Sequence, residues 1–399
     1  MTDAAPSPLV LAVNGGSSSI KFALFNVAPP SDEIRRGSVT GIGTSNATLI
    51  LDSEGGQQRL HLAGPSATPG GAVDRIVAAL RPDVDPPPLA AIVHRLVHGG
   101  EQFHRSQPIT AAVIAGLRSL VPFAPNHLPG EIALIDAFMT AIPGVPQIAC
   151  FDTAFHHDLP AISRTLPVAP LPGLRRYGFH GLSYAFLMSR LNEIGGDEAH
   201  GRVVLAHLGN GASLAAVHDG RCVDTSMGLT PAGGLVMGTR TGDLDPGVVT
   251  FLARSGNLPV EEIDRQLTGE SGLRGISGRS ADMRELLAHE ASDPRARLAV
   301  DIFCYQVRKW IGAFAAALGG LDTLVFSGGI GEAAPVVRSR ICSELSFLGV
   351  RLEEALNAVG APMISAPAAR VRVRVVPTNE ALMMAREARQ VLAESNLAT

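Results

Sequence analysis

The chain has 399 residues, of which 46% are hydrophobic and 18% charged, and this favours an ordered protein of two domains with a cleft between them. The net charge of −4 and the pI near 6.3 exclude a basic surface for nucleic acids or anionic membranes, so small-molecule substrates are expected. The sequence contains no recognisable secretory signal or membrane-spanning apolar run, which predicts a cytoplasmic protein, and its four widely spaced cysteines predict buried free thiols.

The first half of the sequence predicts a β-hairpin followed by smaller strands, loops and one helix. The hairpin consists of an apolar run at Pro8–Val13, a Gly/Ser turn and a second apolar run at Ile20–Val27. The later patterns predict small strands within Val39–Leu62, loops at Ala63–Gly71 and Pro82–Pro88, a buried strand at Leu89–Val97, a helix at Glu131–Thr140 and a buried strand ending at Asp152.

The second half repeats the strand–turn–strand pattern. In VVLAHLGNGASLAAVHDG an apolar run begins at Val203, a turn follows at Gly209–Gly211, and a second run covers Ser213–Val217. The remaining patterns predict a helix at Pro294–Leu318, a strand at Thr323–Phe326, a strand at VRVRVV and a closing helix from about Asn379. Two similar hairpins predict a duplicated α/β fold, with residues 1–153 and 382–399 in one domain and residues 154–381 in the other.

Both hairpin turns carry small polar residues that suit a phosphate group. VNGGSSSIK combines Asn14, the hydroxyl groups of Ser17, Ser18 and Ser19, and the ammonium group of Lys21, while its glycines let backbone amides approach an anion. Taken alone, this segment is equally compatible with an ordinary polar hairpin. The similar turn in HLGNGAS favours a nucleotide held by both hairpins, and because the sequence lacks a Walker pattern, the site must be of another design.

Other glycine-rich segments contain further candidates for anion and nucleotide binding. FSGGIGE predicts a turn between a strand and a helix, where an adenosine can lie against bare backbone. Arg95 lies near the carboxyl end of a buried strand and Arg240 lies in GTRTGDLDPG, and each can hold a carboxylate or a phosphate with two hydrogen bonds. Asp282 and Arg284 are further candidates in SADMR. Taken singly, such arginines are more typical of an ordinary surface, but the glycine-rich setting favours a function for Arg95 and Arg240.

Two acidic residues and one histidine also suggest phosphate chemistry. Asp152 ends a buried strand, where a carboxylate requires a charged partner or a metal ion. Glu380 in PTNEALMMA is either a helix-capping acid or, like Asp152, a candidate for the Mg²⁺ that accompanies phosphates. His180 follows two arginines and two aromatic residues in RRYGFHG, a setting in which it can stabilise a transferring phosphoryl group.

With these segments in order along the chain, the sequence resembles the acetate kinase family, within the fold group of acetate and sugar kinases, heat-shock chaperones and actin. The motifs lie between Leu11 and Arg386 and are VNGGSSSIK, HRLVHGG, FDTAFH, RRYGFHG, HLGNGAS, DTSMGLTP, MGTRTGDLDPG, SGGIGE and PTNEALMMA. The resemblance implies a duplicated, actin-like (ribonuclease H-like) ATPase fold with a central cleft. It implies reversible transfer of the γ-phosphoryl group of ATP to acetate with Mg²⁺, or alternatively Mn²⁺, by a cytoplasmic homodimer that binds neither nucleic acid nor membrane.

The resemblance also implies roles for individual residues. The residues expected around the reacting phosphoryl group are Asn14, Arg95, His127, Asp152, His180 and Arg240. The residues expected to contact the nucleotide are Ser17, Ser19, Lys21, His207, Gly209, Asn210, Gly211, Asp282, Met283, Arg284, Gly329 and Gly331. The residues expected to bind the acceptor are Arg95, Val97, Asn126, Phe179 and Pro231, and the expected metal ligands are Asn14 and Glu380. A carboxylate acceptor arrives ionised and needs no general base, so catalysis must come from alignment and charge neutralisation.

The sequence departs from the family pattern in places expected near the acyl group. The family usually reads A-P-L-H-N-P, but this chain reads APNHLPGE, so Asn126 replaces a leucine expected to touch the alkyl group. Ala232 and Gly233 replace a Leu-Glu pair and Tyr184 replaces a histidine, which predicts a more polar and roomier pocket. Acetate is the leading substrate, and propionate or another short-chain acid is the alternative. A non-catalytic ATP-binding module of the actin or chaperone type is a distant alternative, because it does not need the clustered arginines and histidine.

Overall fold

The computed structural model describes residues 8–16, 18–29, 31–53, 56–80, 89–169 and 171–394. Its strands are β1 (Leu9–Gly15), β2 (Ser19–Asn26), β3 (Glu33–Thr40), β4 (Thr48–Ser53), β5 (Gly56–His61), β6 (Leu89–Leu96), β7 (Gln107–Pro108), β8 (Gln147–Phe151), β9 (Arg202–Leu208), β10 (Ala212–His218), β11 (Arg221–Thr225), β12 (Thr323–Ser327) and β13 (Arg372–Val375). Its α-helices are α1 (Pro69–Leu80), α2 (Ala111–Ser119), α3 (Leu128–Ala141), α4 (Ala161–Arg164), α5 (Gly181–Gly195), α6 (Pro246–Ser255), α7 (Val260–Arg265), α8 (Gly272–Ser277), α9 (Met283–His289), α10 (Pro294–Ala317), α11 (Gly328–Ala333), α12 (Pro335–Cys342), α13 (Glu354–Ala358) and α14 (Glu380–Glu394).

The first sheet combines an antiparallel meander with parallel strands. Its order is β5-β4-β3-β2-β1-β6-β8-β7, where the strands from β5 to β1 are antiparallel neighbours and β1, β6 and β8 run parallel. β1 and β8 are buried along nearly their whole length, as expected for parallel strands that are covered on both faces. Helices α1 and α3 share an apolar core with β1 to β4, and α14 packs against β1, β6 and β8.

The second sheet repeats the central part of the first. Its order is β11-β10-β9-β12-β13, where β11, β10 and β9 are antiparallel neighbours and β9, β12 and β13 run parallel. Strands β3-β2-β1-β6-β8 of the first sheet have the same order and the same directions. Hairpins β1–β2 and β9–β10 therefore occupy equivalent positions, and the duplicated α/β fold predicted from the two sequence patterns is confirmed.

The chain divides into two compact units, each built on one sheet. The first unit comprises Met1–Ala154 and Asn379–Thr399, and the second comprises Phe155–Thr378. The sequence places these boundaries at residues 153 and 382. Helix α14 thus belongs to the unit that contains the first sheet, although the whole second unit precedes it in the chain.

Two predicted loops are wrong, because their glycines serve close packing inside helices. The predicted loop at Ala63–Gly71 contains the start of α1, where a Cβ on Gly71 would lie 2.1 Å from the carbonyl oxygen of Pro65. In FSGGIGE, Phe326 and Ser327 end β12, and α11 begins directly at Gly328, so no separate turn lies between the strand and the helix. Gly328 has φ +75 there, and a Cβ on it would lie 2.8 Å from the carbonyl oxygen of Leu208. The predicted loop at Pro82–Pro88 lies outside the described residues.

The described residues also bear on the membrane and cysteine predictions. In the ranges given above, no helix is long and apolar enough to cross a membrane. Cys150, Cys222, Cys304 and Cys342 are all buried and free, which confirms the prediction of buried thiols.

Candidate active site

The turn between β1 and β2 presents the first predicted phosphate-binding group. Asn14 lies opposite Lys21 in the antiparallel register, and the N–H of Gly16 donates to the carbonyl oxygen of Ser19 across 2.7 Å. Because directly opposite residues and residues two apart point to the same face of a strand pair, the side chains of Asn14, Ser19 and Lys21 share a face. An amide, a hydroxyl and a cation are therefore presented together. Ser17, predicted for the same group, lies outside the described residues.

Two neighbouring parallel strands hold an ion pair between a half-buried arginine and a buried aspartate at their carboxyl ends. Arg95 is the penultimate residue of β6, and Asp152 directly follows β8. The Nε and Nη2 atoms of Arg95 both donate to Oδ2 of Asp152, at 3.0 and 2.5 Å. Asp152 is only 2% exposed, and Arg95 supplies the charged partner that such burial demands.

The sequence interpretation missed a third member of this cluster, Glu131 in the first turn of α3. Its Oε2 accepts the N–H of Val97 at 3.0 Å, and its Oε1 lies 3.4 Å from Nη1 of Arg95. Burial raises the pKa of Glu131 to about 7, although the Arg95 charge and the Val97 amide both act to lower it. One signal was available, because Glu131 follows the candidate His127 by four residues and therefore lies on the same face of the helix.

Arg95 retains hydrogen-bonding capacity for a ligand. Burial lowers the pKa of Arg95, but the negative charges of Asp152, Glu131 and Glu380 outweigh that effect and raise it above its ordinary value, so the group stays charged. A guanidinium has five N–H donors, and Asp152 and Glu131 engage three of them. Within the described part of the chain, two N–H groups are left, which is the number needed to bind a carboxylate or phosphate bidentately.

The other candidates of the first unit lie on the segments that flank this cluster. His127 directly precedes α3 and is half-buried, and Asn126 before it is exposed. Glu380 is the first residue of α14, whereas a capping box requires an acid at the third helical position. Oδ1 of Asn379 accepts the N–H of Leu382 at 3.0 Å, so Asn379 is the residue that caps this helix. Glu380 is therefore not the capping acid, and its charge acts on Arg95 instead.

The oxygen groups of the first unit fit a magnesium ion that arrives with phosphates. No cluster of three or more His, Cys, Asp or Glu side chains among the described residues could hold a metal by itself. Mg²⁺ bound to a nucleotide needs only one or two protein oxygen ligands, which the Glu380 carboxylate and the Asn14 amide can supply. Three carboxylates act on the single guanidinium of Arg95, and a divalent cation would balance their excess negative charge.

The turn between β9 and β10 is the counterpart of the first hairpin. The N–H of Gly209 donates to the carbonyl oxygen of Gly211 at 3.0 Å. The loop that carries Arg240 closes over the tip, where the N–H of Gly238 donates to the carbonyl oxygen of Asn210 at 2.9 Å. A Cβ on Gly238 would lie 2.0 Å from Oδ1 of Asn210, so a larger residue there would displace the Asn210 side chain.

Two predicted phosphoryl-binding residues converge on Gly211. A Cβ placed on Gly211 would lie 3.4 Å from Nε2 of His180 and 3.7 Å from Nη1 of Arg240. Nη1 of Arg240 also donates to the carbonyl oxygen of Pro231 at 3.2 Å, which fixes the guanidinium at this point. An imidazole nitrogen and a guanidinium therefore lie side by side next to Gly211, and such donors suit an oxygen-rich anion.

His180 is held in a strained backbone conformation directly before α5. Its φ and ψ of 59 and 25 lie in the left-handed region, which is uncommon for residues other than glycine. The carbonyl oxygen of the preceding Phe179, itself buried, accepts from Nε2 of His156 at 3.0 Å. Nδ1 of His180 lies 2.9 Å from Oγ of Ser213, and its ring stacks on His207 with the centroids 4.4 Å apart. Strain that several contacts maintain is typical of functional residues.

The remaining nucleotide candidates differ in exposure. Oδ1 of Asp282 accepts the N–H of Arg284 at 2.9 Å and caps α9, and the Asp282 carboxylate also pairs with the Arg284 guanidinium at 2.7 Å. The side chain of Arg284 is 86% exposed. Met283 is buried, so its side chain offers no surface to a ligand. Gly329 in α11 faces open space, whereas Gly331 is buried against β9 and β12.

Fold and site together define the class of protein. Two sheets, the second of which repeats the strand order of the central part of the first and each of which contains an equivalent hairpin, form the α/β fold shared by acetate kinases, sugar kinases and actin. One unit adds a half-buried guanidinium with two N–H donors left for a ligand, and the other adds a histidine and an arginine next to a glycine. The chain is therefore a phosphotransferase of this fold.

Several acetate and propionate kinases are similar to the chain over almost its whole length. It is 42% identical over 389 residues to the acetate kinase of Rhodopseudomonas palustris, covering 95% of this chain and 97% of that protein. It is 42% identical over 398 residues to the acetate kinase of Symbiobacterium thermophilum, covering 96% and 99%. The crystal structure of Porphyromonas gingivalis acetate kinase matches with a TM-score of 0.88, 37% identity and coverage of 97% and 100%. A propionate kinase from Francisella tularensis matches with a TM-score of 0.90, 35% identity and coverage of 95% and 98%.

The model of the acetokinase family matches residues 9–386, and the chain belongs to the acetokinase family. Membership confirms that the protein is a phosphotransferase with a carboxyl group as acceptor and not a non-catalytic ATP-binding module. It also confirms the expected use of ATP at the level of the family. The roles of individual residues stay predictions.

Proposed function

We propose that this protein catalyses the reversible, Mg²⁺-dependent transfer of the γ-phosphoryl group of ATP to acetate, giving acetyl phosphate and ADP. The observation that carries the proposal is the setting of Arg95, a half-buried guanidinium that keeps two N–H donors for an anion while Asp152 and Glu131 fix its plane. A protein that only binds ATP has no need of such a group. The similarity to two acetate kinases supports acetate as the acceptor.

In this reaction the first unit binds the acceptor. The carboxylate of acetate accepts the two remaining N–H groups of Arg95, and Val97 and His127 contribute the surroundings. Because acetate is ionised at neutral pH, one of its oxygens attacks the γ-phosphorus directly while the bond to the ADP oxygen breaks. No proton is transferred, so the protein has to align the reactants and balance charge.

The second unit stabilises the transferring phosphoryl group. Nε2 of His180 and Nη1 of Arg240, which converge on Gly211, donate to its oxygens as negative charge accumulates on them. Asn210 in the same turn, and Ser19 and Lys21 in the first hairpin, bind the nucleotide. When bound through Glu380 and Asn14, Mg²⁺, or alternatively Mn²⁺, neutralises charge on the phosphates.

The test is to trap the product. Purified protein with ATP, Mg²⁺ and acetate should form acetyl phosphate, which hydroxylamine converts to a coloured hydroxamate. Hydrolysis of ATP without hydroxamate would contradict the proposal. Arg240→Ala should lower kcat by roughly 100-fold with an unchanged circular dichroism spectrum. Arg221→Ala removes an exposed arginine of the same unit and serves as the matched control, which should retain activity.

Propionate or another short-chain acid is a second candidate, and the residues near the expected acyl position favour it. Asn126 is exposed where the family usually has leucine, and Ala232 and Gly233 replace a larger pair. The similarity to a propionate kinase from Francisella tularensis agrees with this alternative. The hydroxamate assay with acetate, propionate and butyrate decides between the candidates, because the physiological acceptor should have the highest kcat/KM.

We propose further that the protein acts as a cytoplasmic homodimer. Helix α6 has no buried residue, and it exposes Val249 and Phe251, with Leu244 and Val260 exposed on either side of it in the chain. Exposed apolar side chains in sequence proximity support self-association, and the free thiols suit a reducing compartment. Light scattering on the eluting protein should give the mass of two chains, and a monomer at all micromolar concentrations would contradict the dimer.

A further inference from the structure

Two buried hydroxyl groups form a row of hydrogen bonds, the Ser213–Tyr184 hydrogen-bond pair, behind His180. Oγ of Ser213 lies 2.9 Å from Nδ1 of His180, and the phenol oxygen of Tyr184 lies 2.5 Å from the same Oγ. Ser213 and Tyr184 are both 0% exposed. Tyr184 lies one helical turn after His180 in α5, and Ser213 belongs to β10. The sequence interpretation associated Tyr184 with a roomier acyl pocket, but its hydroxyl belongs to the support of His180.

The direction of these hydrogen bonds follows from the proton count. Burial raises the pKa of Tyr184 far above its ordinary value, so the phenol keeps its proton and must donate it. Among the described residues, its hydrogen-bonded acceptor is Oγ of Ser213, and a buried O–H without an acceptor would be costly. Tyr184 therefore donates to Ser213, and the single hydroxyl proton of Ser213 is donated to Nδ1 of His180. Since Nδ1 accepts a hydrogen bond, it carries no proton, and the proton of the neutral imidazole lies on Nε2.

Nε2 is the atom of His180 that faces Gly211, beside Nη1 of Arg240. We propose that Ser213 and Tyr184 are positioning residues that hold His180 as the neutral Nε2–H tautomer, with this N–H directed at a phosphoryl oxygen. The opposite tautomer would turn a lone pair toward the phosphate and repel it. The inference rests on the proposed function for its catalytic consequence, but the tautomer is a property of the free protein and can be measured separately.

The direct test is ¹⁵N NMR of the full chain labelled in histidine, with the His180 signals assigned through a His180→Gln variant. At a pH above the ordinary histidine range, His180 should show the signature of the Nε2–H tautomer. An Nδ1–H tautomer or an imidazolium in the unmodified protein would overturn the inference, whatever the activity. Failure of the proposed function has a different readout, the absence of hydroxamate.

Substitutions then test whether the Ser213–Tyr184 hydrogen-bond pair affects catalysis. Ser213→Ala should lower kcat by roughly three- to tenfold, which corresponds to the free energy of one hydrogen bond. It should also shift a fraction of the molecules to the Nδ1–H tautomer of His180. Tyr184→Phe keeps the packing of the ring and should change both quantities in the same direction by less. KM for ATP and KM for the acceptor should stay within about twofold of the wild-type values, because binding of the ground state does not depend on the Ser213–Tyr184 hydrogen-bond pair. If Ser213→Ala does not fold, Tyr184→Phe alone decides, and an unchanged kcat together with an unchanged His180 spectrum overturns the inference.

The double variant and a control give the sharpest result. Since Tyr184 acts through Ser213, the double variant should be no slower than Ser213→Ala, and additive losses would overturn the inference. Tyr177→Phe is the matched control, because it removes a hydroxyl of a buried tyrosine that is bonded to the carbonyl oxygen of Gly173 at 3.0 Å. It should leave both kcat and the His180 spectrum unchanged.

Discussion

Replacing Glu131 by glutamine should remove the part of the pH dependence of acceptor binding that comes from the titration of Glu131. Burial raises the pKa of Glu131 to about 7, so the wild-type side chain is protonated below this pH and ionised above it. An ionised Glu131 adds negative charge beside Arg95 and opposes a bound carboxylate. Acceptor affinity is therefore complete below pH 7 and is lost as the pH rises through that value. Glutamine stays neutral and can still accept the N–H of Val97.

The size of the effect follows from the distances around Arg95. Oε1 of Glu131 lies 3.4 Å from Nη1 of Arg95. A carboxylate that binds the outer edge of the guanidinium with ordinary hydrogen bonds then lies about 7 Å from Glu131. At an effective dielectric constant of about 20, two negative charges at this distance repel by about 2 kcal/mol, which corresponds to roughly 30-fold in affinity.

The measurement is KM for the acceptor at saturating ATP and Mg²⁺, from about pH 6 to about pH 8.5, on both sides of the raised pKa. The ratio of wild-type KM to Glu131→Gln KM should increase with pH, and taking this ratio cancels the titration of ATP and of other groups. Asp136→Asn, at an exposed position of α3, is the matched control and should follow the wild type. A ratio that does not change over this range would refute the reasoning, because it would mean that the charge of Glu131 does not reach the acceptor.

Three further predictions concern the acyl end, the metal and the strained loop. Asn126→Leu should restore an apolar contact and lower KM for acetate by roughly threefold, the worth of about one buried methylene, in steady-state assays; an unchanged KM would place Asn126 away from the acyl group. Glu380→Gln should raise the Mg²⁺ concentration for half-maximal rate by roughly tenfold or more in a metal titration, and an unchanged midpoint would argue against a metal role. Gly178→Ala should lower the free energy of unfolding by about 2–4 kcal/mol in urea, because φ is +73 and its Cβ would lie 2.6 Å from the ring of His156. A loss well under about 1 kcal/mol would mean that the loop relaxes easily.

The fold was predictable where a local pattern was sufficient. Hairpins β1–β2 and β9–β10 are each encoded by two apolar runs and a turn, so their resemblance in sequence revealed the duplication. Helices α1 and α11 were missed because Gly71 and Gly328 were taken as loop signals. In the structure these glycines allow a carbonyl group of Pro65 or Leu208 to approach closely. The contact of Gly328 with Leu208 depends on a tertiary neighbour, which the residues of the segment do not disclose, whereas Pro65 lies within the same segment as Gly71.

The candidate site was predictable where a residue stands at the end of a strand or in a glycine-rich turn. Arg95, Asp152 and Arg240 were predicted in this way, because strand ends and turns present side chains regardless of what packs behind them. Glu131 was missed because its importance lies in a partner 36 residues earlier in the chain. Tyr184 was noticed as a departure from the family pattern, but only the fold shows which side chain it supports.

In both clusters, buried side chains fix the orientation of a hydrogen-bond donor. Behind Arg95 stand Asp152 and Glu131, which take three of its five N–H groups and leave two for a ligand. Behind His180 stand Ser213 and Tyr184, which leave its Nε2 proton directed at Gly211. Donors that are already oriented need no reorganisation as charge develops on the phosphoryl oxygens, and that saving is the main source of electrostatic catalysis. The supporting residues therefore govern the pH dependence of acceptor binding and the tautomer of His180 without touching the substrate. Variation at these positions within the acetokinase family should change the rate or the acceptor affinity while the reaction stays the same.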